Sequence, residues 1–297
     1  MPTPRRKPSR AHAADAARPR APHPTAPHPT AARPGPPTIA ALAFDLDGTL
    51  VLGAEPLPGA GALLAALAAA DVPYLVATNN SSASGRHYVR RLVELGLPVT
   101  RAAVLTSNDV TLGQLRASGI ERPFLVATRE VEQEYRAGGV APGAEPPDAV
   151  VLTFDTTLTY AKLRRAADLI LAGLPYLATH PDLVCPTRTG PIPDCGAFAA
   201  LLRAATGRRP RIMGKPERPM AEAIRARLGV APDAVAFVGD RLYTDVRMAN
   251  RHGFQAVLTL TGETGRTDLA GSNDVPDLVV DDLDALHTHL RSLGVLG

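Results

Sequence analysis

Two aspartates one residue apart, Asp45 and Asp47, follow a short apolar run and precede Gly48 and Thr49 in the stretch IAALAFDLDGTLVL, residues 39–52. The run has no polar alternation, so it reads as a strand buried on both faces. Carboxylates at the carboxyl end of such a strand stand where open α/β sheets bind ligands. If the chain leaves the strand at Asp45, Gly48 supplies the freedom to turn both carboxylates into one crevice. Taken alone, Asp-Leu-Asp-Gly also reads as a solvated acidic turn. Three further groups downstream weigh against that reading. Thr78, Asn79 and Asn80 end a second apolar run and precede a helix, a layout whose hydroxyls, amides and free backbone N–H groups favour an anion; a plain polar N-cap looks the same in isolation. Lys215 stands in Gly214-Lys215-Pro216 after a brief strand at 211–213. Asp240 ends a strand at 235–238, and Asp245 lies near the start of the next helix, where both could also serve only as caps.

Strand ends in a parallel sheet share one edge, so these groups converge although they are far apart in sequence. Several carboxylates on one edge repel one another. A hard divalent cation relieves that, and Mg²⁺ suits one or two carboxylates plus a substrate phosphate. With the Lys215 ammonium added, the set matches what phosphoryl transfer needs, which is positioning and neutralisation of charge.

The elements that must position these residues alternate strand and helix, which points to an α/β, doubly wound parallel sheet. Apolar runs at 74–77, 235–238, 255–260 and 278–280 read as strands. Runs at 60–70, 84–95, 220–228 and 283–293 read as helices. Between 106 and 209 a second alternation appears, with strands near 124–127, 149–154 and 176–178 and helices near 131–137, 160–171 and 195–206. That is a domain-sized α/β unit, inserted into the first domain because strand and lysine resume after it. The expected organisation is a tail at 1–37, core at 38–105, inserted domain at 106–209 and core again at 210–297.

The 297 residues leave ample length for a core of two domains. Net charge is +3, but the tail holds Arg5, Arg6, Lys7, Arg10, Arg18, Arg20 and Arg33 against Asp15 alone, so the remainder is mildly acidic. The tail has no aromatic residues to stack on bases, which argues against specific nucleic-acid binding. Its prolines and tandem APHPT predict a disordered, partly polyproline-like segment. No apolar run is long enough to span a bilayer, and the N-terminus lacks the apolar stretch of a secretory signal. Two cysteines, Cys185 and Cys195, are too few for a disulfide framework and fit a reducing cytoplasm, as small buried residues.

Read together, FDLDGTL, VATNN, GKP and VGDRLYTD are similar to the four motifs of the haloacid dehalogenase-like (HAD) hydrolases. LTFDTTLTYAKL, ATHPD and CGAF, between the second and third of them, resemble the NagD-like, class IIA branch. That branch includes p-nitrophenyl, phosphoglycolate, pyridoxal and nucleotide phosphatases. The resemblance runs from about residue 39 onward and leaves out the tail. It implies a Rossmann-like core with an inserted α/β cap of the C2 type. It also implies Mg²⁺-dependent hydrolysis of a small phosphomonoester, such as a sugar phosphate, a nucleotide or phosphoglycolate, through an aspartyl-phosphate. Asp45 would be the nucleophile, and Asp47 the acid and then the base. Mg²⁺ would be held by Asp45, the backbone carbonyl of Asp47, and Asp240, with Asp245 in support. Thr78, Asn79, Asn80 and Lys215 would grip the phosphate. His180 and Asp182 of the cap would face the substrate, His180 standing where the branch commonly has Asn; otherwise His180 is a surface loop residue. Homodimers through the cap occur in the branch. The rival readings are a phosphotransferase that passes the phosphoryl group to an acceptor other than water, and a binding protein without activity. The second should have lost Asp45, Asp47 or Lys215, and all three are present.

Overall fold

The apolar run before Asp45 is a strand, β1 (Ala41–Phe44), and all four of its residues are fully buried. A computed structural model describes residues 38–187 and 189–296 of the chain; the expected tail at 1–37 lies outside them. After β1 come a hairpin of two-residue strands, β2 (Val51–Leu52) and β3 (Glu55–Pro56), then α1 (Ala60–Ala69), β4 (Tyr74–Thr78), α2 (Gly85–Glu94), β5 (Val104–Thr106) and α3 (Ser107–Ala117). The next run holds β6 (Pro123–Val126), α4 (Arg129–Ala137), β7 (Ala149–Leu152), α5 (Tyr160–Leu171) and β8 (Tyr176–Ala178). It continues with a second hairpin, β9 (Val184–Cys185) and β10 (Ile192–Pro193), then α6 (Cys195–Thr206) and β11 (Arg211–Ile212). The last run holds α7 (Arg218–Leu228), β12 (Val235–Gly239), α8 (Arg247–His252), β13 (Gln255–Thr259), β14 (Leu278–Val280) and α9 (Leu283–Ser292).

Six strands form one sheet in the order β14-β13-β12-β1-β4-β5, and every pair in it is parallel. The pleat divides its side chains between two layers of helices. Leu42, Phe44, Val76 and Val238 pack with Leu63, Leu64 and Leu67 of α1, Tyr88 and Leu92 of α2, and Leu286 and Leu290 of α9. On the other face, Ala41, Ala43, Leu75 and Phe237 pack with Leu115 of α3, Met220 and Ile224 of α7, and Met248 of α8. Each fully buried Leu or Phe contributes about 1.5–3 kcal/mol. Helices on both faces leave only the strand ends for function.

The smaller sheet, β11-β8-β7-β6, is also parallel and forms the inserted α/β cap domain. Val126, Val150 and Leu152 face α5 and α6 through Ala166, Ile170 and Leu202. Leu125, Val151, Leu177 and Met213 join the same apolar cluster as the core sheet, so the cap is cemented to the core by continuous packing. The sheets differ from the expected boundaries of 106 and 209 at both ends. α3 packs on β5 and α7 of the core, and β11 pairs with β8 of the cap. The sequence shows that a short strand exists at 211 but not which neighbour it will find. Among the described residues, no helix is long and apolar enough to cross a membrane.

Candidate active site

Register places the first, second and fourth motifs side by side. Phe44 pairs with Val238 on one side and Val76 on the other, so Asp45 leaves the sheet between the ends of β12 and β4. Asp45 N–H donates to Val238 O at 2.8 Å, which holds the first motif against the fourth. Gly48 has φ of 96°, and a Cβ there would overlap the carboxylate of Asp240. Glycine is therefore needed twice at this turn, for its dihedral and for the approach. Thr261 Oγ1 donates to Gly48 O at 2.7 Å and pins the turn from the loop after β13.

Lys215 is 2% exposed, and its ammonium donates to Asp45 Oδ1 and lies 2.8 Å from Asp245 Oδ1. Burial works against the charged lysine, but Asp245 and Asp45 outweigh it and raise its pKa further above the ordinary value. Asp240 is held by Glu263 N–H at 2.7 Å, and Asp245 Oδ2 accepts from Arg241 N–H at 3.1 Å. The π-turn at Leu242–Val246 folds Asp245 back beneath the strand end. Carboxylate oxygens of Asp45, Asp240 and Asp245 lie within 4.8 Å of one another. Burial, then the charges of Asp45 and Asp245, push Asp240 up to about 8. Burial pushes Asp245 up to about 6 against the pull of Lys215. Three buried carboxylates against one ammonium leave a cluster short of positive charge, and its all-oxygen donor set fits a divalent cation.

Asp47 sits at the mouth, where Arg91 donates to its Oδ1 from both terminal nitrogens at 3.3 Å and Asn80 Nδ2 donates to Oδ2 at 3.4 Å. Arg91 also donates to Gly53 O at 2.5 Å, tying the β2–β3 hairpin to the same aspartate. Burial raises the Asp47 carboxyl above the usual range, with Asp45 adding to it and Arg91 opposing.

The two asparagines line the cleft, and their side chains hold neighbouring groups of the site. Asn79 Oδ1 accepts from Lys215 N–H at 2.8 Å, and its Nδ2 donates to Lys215 O at 3.0 Å and to Asp182 at 3.2 Å. Its amide is spent on positioning Lys215 and the cap loop. A Cβ at Gly214 would collide with that same amide oxygen. Asn80 uses its Oδ1 to accept from Ser82 and its Nδ2 to hold Asp47. Thr78 stays buried, with Oγ1 accepting from Asn80 N–H at 3.0 Å.

From the cap, Asp182 reaches the same cleft and lies 3.7 Å from Arg241. His180 is not a surface loop residue. It is fully buried behind Asp182, with Nε2 3.2 Å from Ser81 Oγ of the core loop, and it does not line the cleft. The loop is drawn inward because Gly196 N–H donates to Asp182 O at 2.8 Å, at the first turn of α6. The cleft is lined by Asp45, Asp47, Thr78, Asn79, Asn80, Asp182 and Lys215, together with Arg241, Thr244, Cys185, Pro186 and Asp194. Of these, Arg241 and Asp194 carry charge that sequence reasoning passed over. Arg241 was in view beside Asp240, and Asp194 is the N-cap of α6. Cys185 and Cys195 are both free thiols, and only Cys195 is fully enclosed.

The family models agree with this geometry. Residues 42–141 match the haloacid dehalogenase-like hydrolase model, and residues 212–286 match a HAD-hydrolase-like model. The 5′-nucleotidase YutF of Bacillus subtilis is 30% identical over 83% of this chain and 96% of its own. The chain belongs to the haloacid dehalogenase-like hydrolases. Among solved HAD structures, a 4-nitrophenylphosphatase from Thermotoga maritima superposes with a TM-score of 0.81 at 40% identity, covering 84% of this chain and 97% of its own. Glycerol phosphate phosphatase from Mycobacterium tuberculosis, solved in complex with magnesium, superposes with a TM-score of 0.76 at 33% identity over 84% of this chain and 77% of its own. The HAD fold, the cap and these relatives make the chain a NagD-like phosphatase, a hydrolase of phosphoric monoesters.

Proposed function

We propose that the chain is a Mg²⁺-dependent phosphomonoesterase of the cytoplasm that acts on a small ester through an aspartyl-phosphate at Asp45. The observation that carries this reading is the buried contact of Asp45 with Lys215, at the strand end where Asp240 and Asp245 converge. Asp45 attacks phosphorus, forming the acyl-phosphate bond as the P–O bond to the leaving group breaks. Asp47, whose carboxyl burial raises above the usual range against the pull of Arg91, gives its proton to the leaving oxygen. Water then attacks phosphorus, Asp47 takes its proton, and Asp45 is released with inorganic phosphate. Lys215 neutralises the transferring group, and Thr78 offers it a hydroxyl. Asp45, the Asp47 carbonyl and Asp240 would hold Mg²⁺, with Asp245 fixing Lys215 beside them. The ion supplies the positive charge that the carboxylate cluster lacks.

Asp45→Asn tests the covalent step. It changes little volume and removes the nucleophile, so the circular dichroism spectrum should be kept while phosphate release falls by about a thousandfold or more. Turnover close to wild type in a folded Asp45→Asn sample would rule out the aspartyl-phosphate. Comparing free phosphate with phosphate passed to added alcohols separates hydrolysis from transfer.

A further inference from the structure

The steps above leave one buried cluster unused. His180 is fully buried between two carboxylates, with Nδ1 3.3 Å from Asp182 Oδ2 and Nε2 3.5 Å from Asp194 Oδ1. Nε2 also has Ser81 Oγ at 3.2 Å, a hydroxyl that can donate or accept; a neutral imidazole has a single N–H for its two sides, whereas the doubly protonated ring turns a positive N–H towards both carboxylates. The charged and titratable groups around it are Asp182 on its own loop, Asp194 with the Cys195 thiol at the start of α6, and Arg241 from the core beyond Asp182. Burial disfavours the charged ring, but Asp194 and Asp182 outweigh it and raise its pKa, while Arg241 opposes. Both carboxylates line the cleft and the imidazole does not. Each has a second hold as well, and Asp182 accepts from Asn79 Nδ2 at 3.2 Å. Asp194 Oδ1 accepts from Cys195 N–H at 2.6 Å, and a Cβ at Gly196 would overlap the Pro181 carbonyl.

We propose that His180 is a positioning residue, clamping Asp182 and Asp194 as two fixed acceptors on the cap wall of the cleft, so that the enzyme favours esters whose leaving group donates hydroxyl hydrogen bonds. The inference rests on the phosphatase reading of the cleft. Without the ring the two carboxylates repel, and one of them takes up a proton or turns away, so an acceptor is lost. The two flank opposite ring nitrogens and are already balanced by His180 and Arg241, which distinguishes the cluster from a metal site.

Two measurements on the full chain test the clamp, and the first does not depend on turnover. The His180 ring resonance, assigned by its loss in His180→Asn, is followed against pH by NMR. The ring should stay protonated above the ordinary histidine value of about 6.5. A ring that titrates at or below that value overturns the clamp. The second measurement compares His180→Asn and His180→Gln with wild type on glycerol phosphate, whose leaving group carries hydroxyls, and on 4-nitrophenyl phosphate, whose leaving group carries none. KM for glycerol phosphate should rise about tenfold, the worth of one charge-assisted hydrogen bond, with a smaller rise for the aryl ester and little change in kcat. In wild type the same KM should climb as the ring loses its proton, and both variants should lack that climb. Equal KM changes for the two esters overturn the inference. Hydrolysis of neither ester by wild type would instead overturn the phosphatase reading, and the NMR titration would still decide the clamp.

Discussion

The core cluster sets three carboxylates, Asp45, Asp240 and Asp245, against one ammonium, Lys215, whereas the cap cluster sets two carboxylates, Asp182 and Asp194, beside an imidazole and the Arg241 guanidinium. Both are buried and both face one cleft. In the core, burial and mutual repulsion push Asp240 up to about 8. In the cap, burial acts against Asp182 too, but His180, Arg241 and Asn79 outweigh it and hold its carboxyl below the usual range, while burial pushes Asp194 only up to about 6 against the pull of His180. The core holds three acids against Lys215 and the shared pull of Arg241, the cap two acids against His180 and the same Arg241, so the core is the cluster left short of positive charge. A buried acidic group short of balancing charge calls for an ion from outside, and one that is balanced fixes geometry instead.

The comparison breaks most sharply at Lys215. Lys215→Ala leaves three buried carboxylates without their cation, so it should cost about 3–5 kcal/mol of stability in metal-free protein as well as the activity. Urea denaturation measures the first, and a loss below about 1 kcal/mol would mean that the core cluster is better solvated than its burial implies. Next in size is Asp240→Asn. Removal of outer-shell partners of a metal costs up to about a hundredfold, so loss of this ligand should lower kcat/KM by at least that factor. A Mg²⁺ titration of phosphate release checks it, and an unshifted curve would remove Asp240 from the ligand set.

A smaller effect sharpens the contrast through pH. Burial and the charges of Asp45 and Asp245 push Asp240 in the folded, metal-free chain up to about 8, against an ordinary 3.8, so the folded state holds a proton that the unfolded state has released. The stability this proton gives is fully present below about pH 4 and is lost as pH rises towards about 8. Mg²⁺ competes with that proton, so the rise in Tm it causes should be larger at pH 8 than at pH 5. Differential scanning calorimetry at the two pH values measures this, and equal rises would contradict the assigned frustration of the core cluster.

How much of this was legible in the sequence follows from the range of each contact. Asp45, Thr78 and Asp240 could be read because each ends a buried strand, and parallel strands put their ends on one edge. Helix α3 was not named, although Thr106 and Asp109 form a capping box at its start. The hairpins β2–β3 and β9–β10 have two residues per strand, too few for any period to show. His180 could not be placed because its burial depends on Ser81, 99 residues away in the chain, and on the docking of its loop against α6. Asn79 matched a phosphate-binding position, but its partners Lys215 and Asp182 come from elements more than a hundred residues on. Residue type and strand ends fix which groups meet at the cleft, and packing decides which of them are left free to act.

The central claim is that the core cluster awaits a divalent cation and hydrolyses phosphomonoesters with it. Release of inorganic phosphate from 4-nitrophenyl phosphate, with Mg²⁺ and then with EDTA, tests it directly. Release that stops with EDTA and returns with excess Mg²⁺ is the predicted result. Release at the same rate in EDTA, from protein shown to be metal-free, would contradict it.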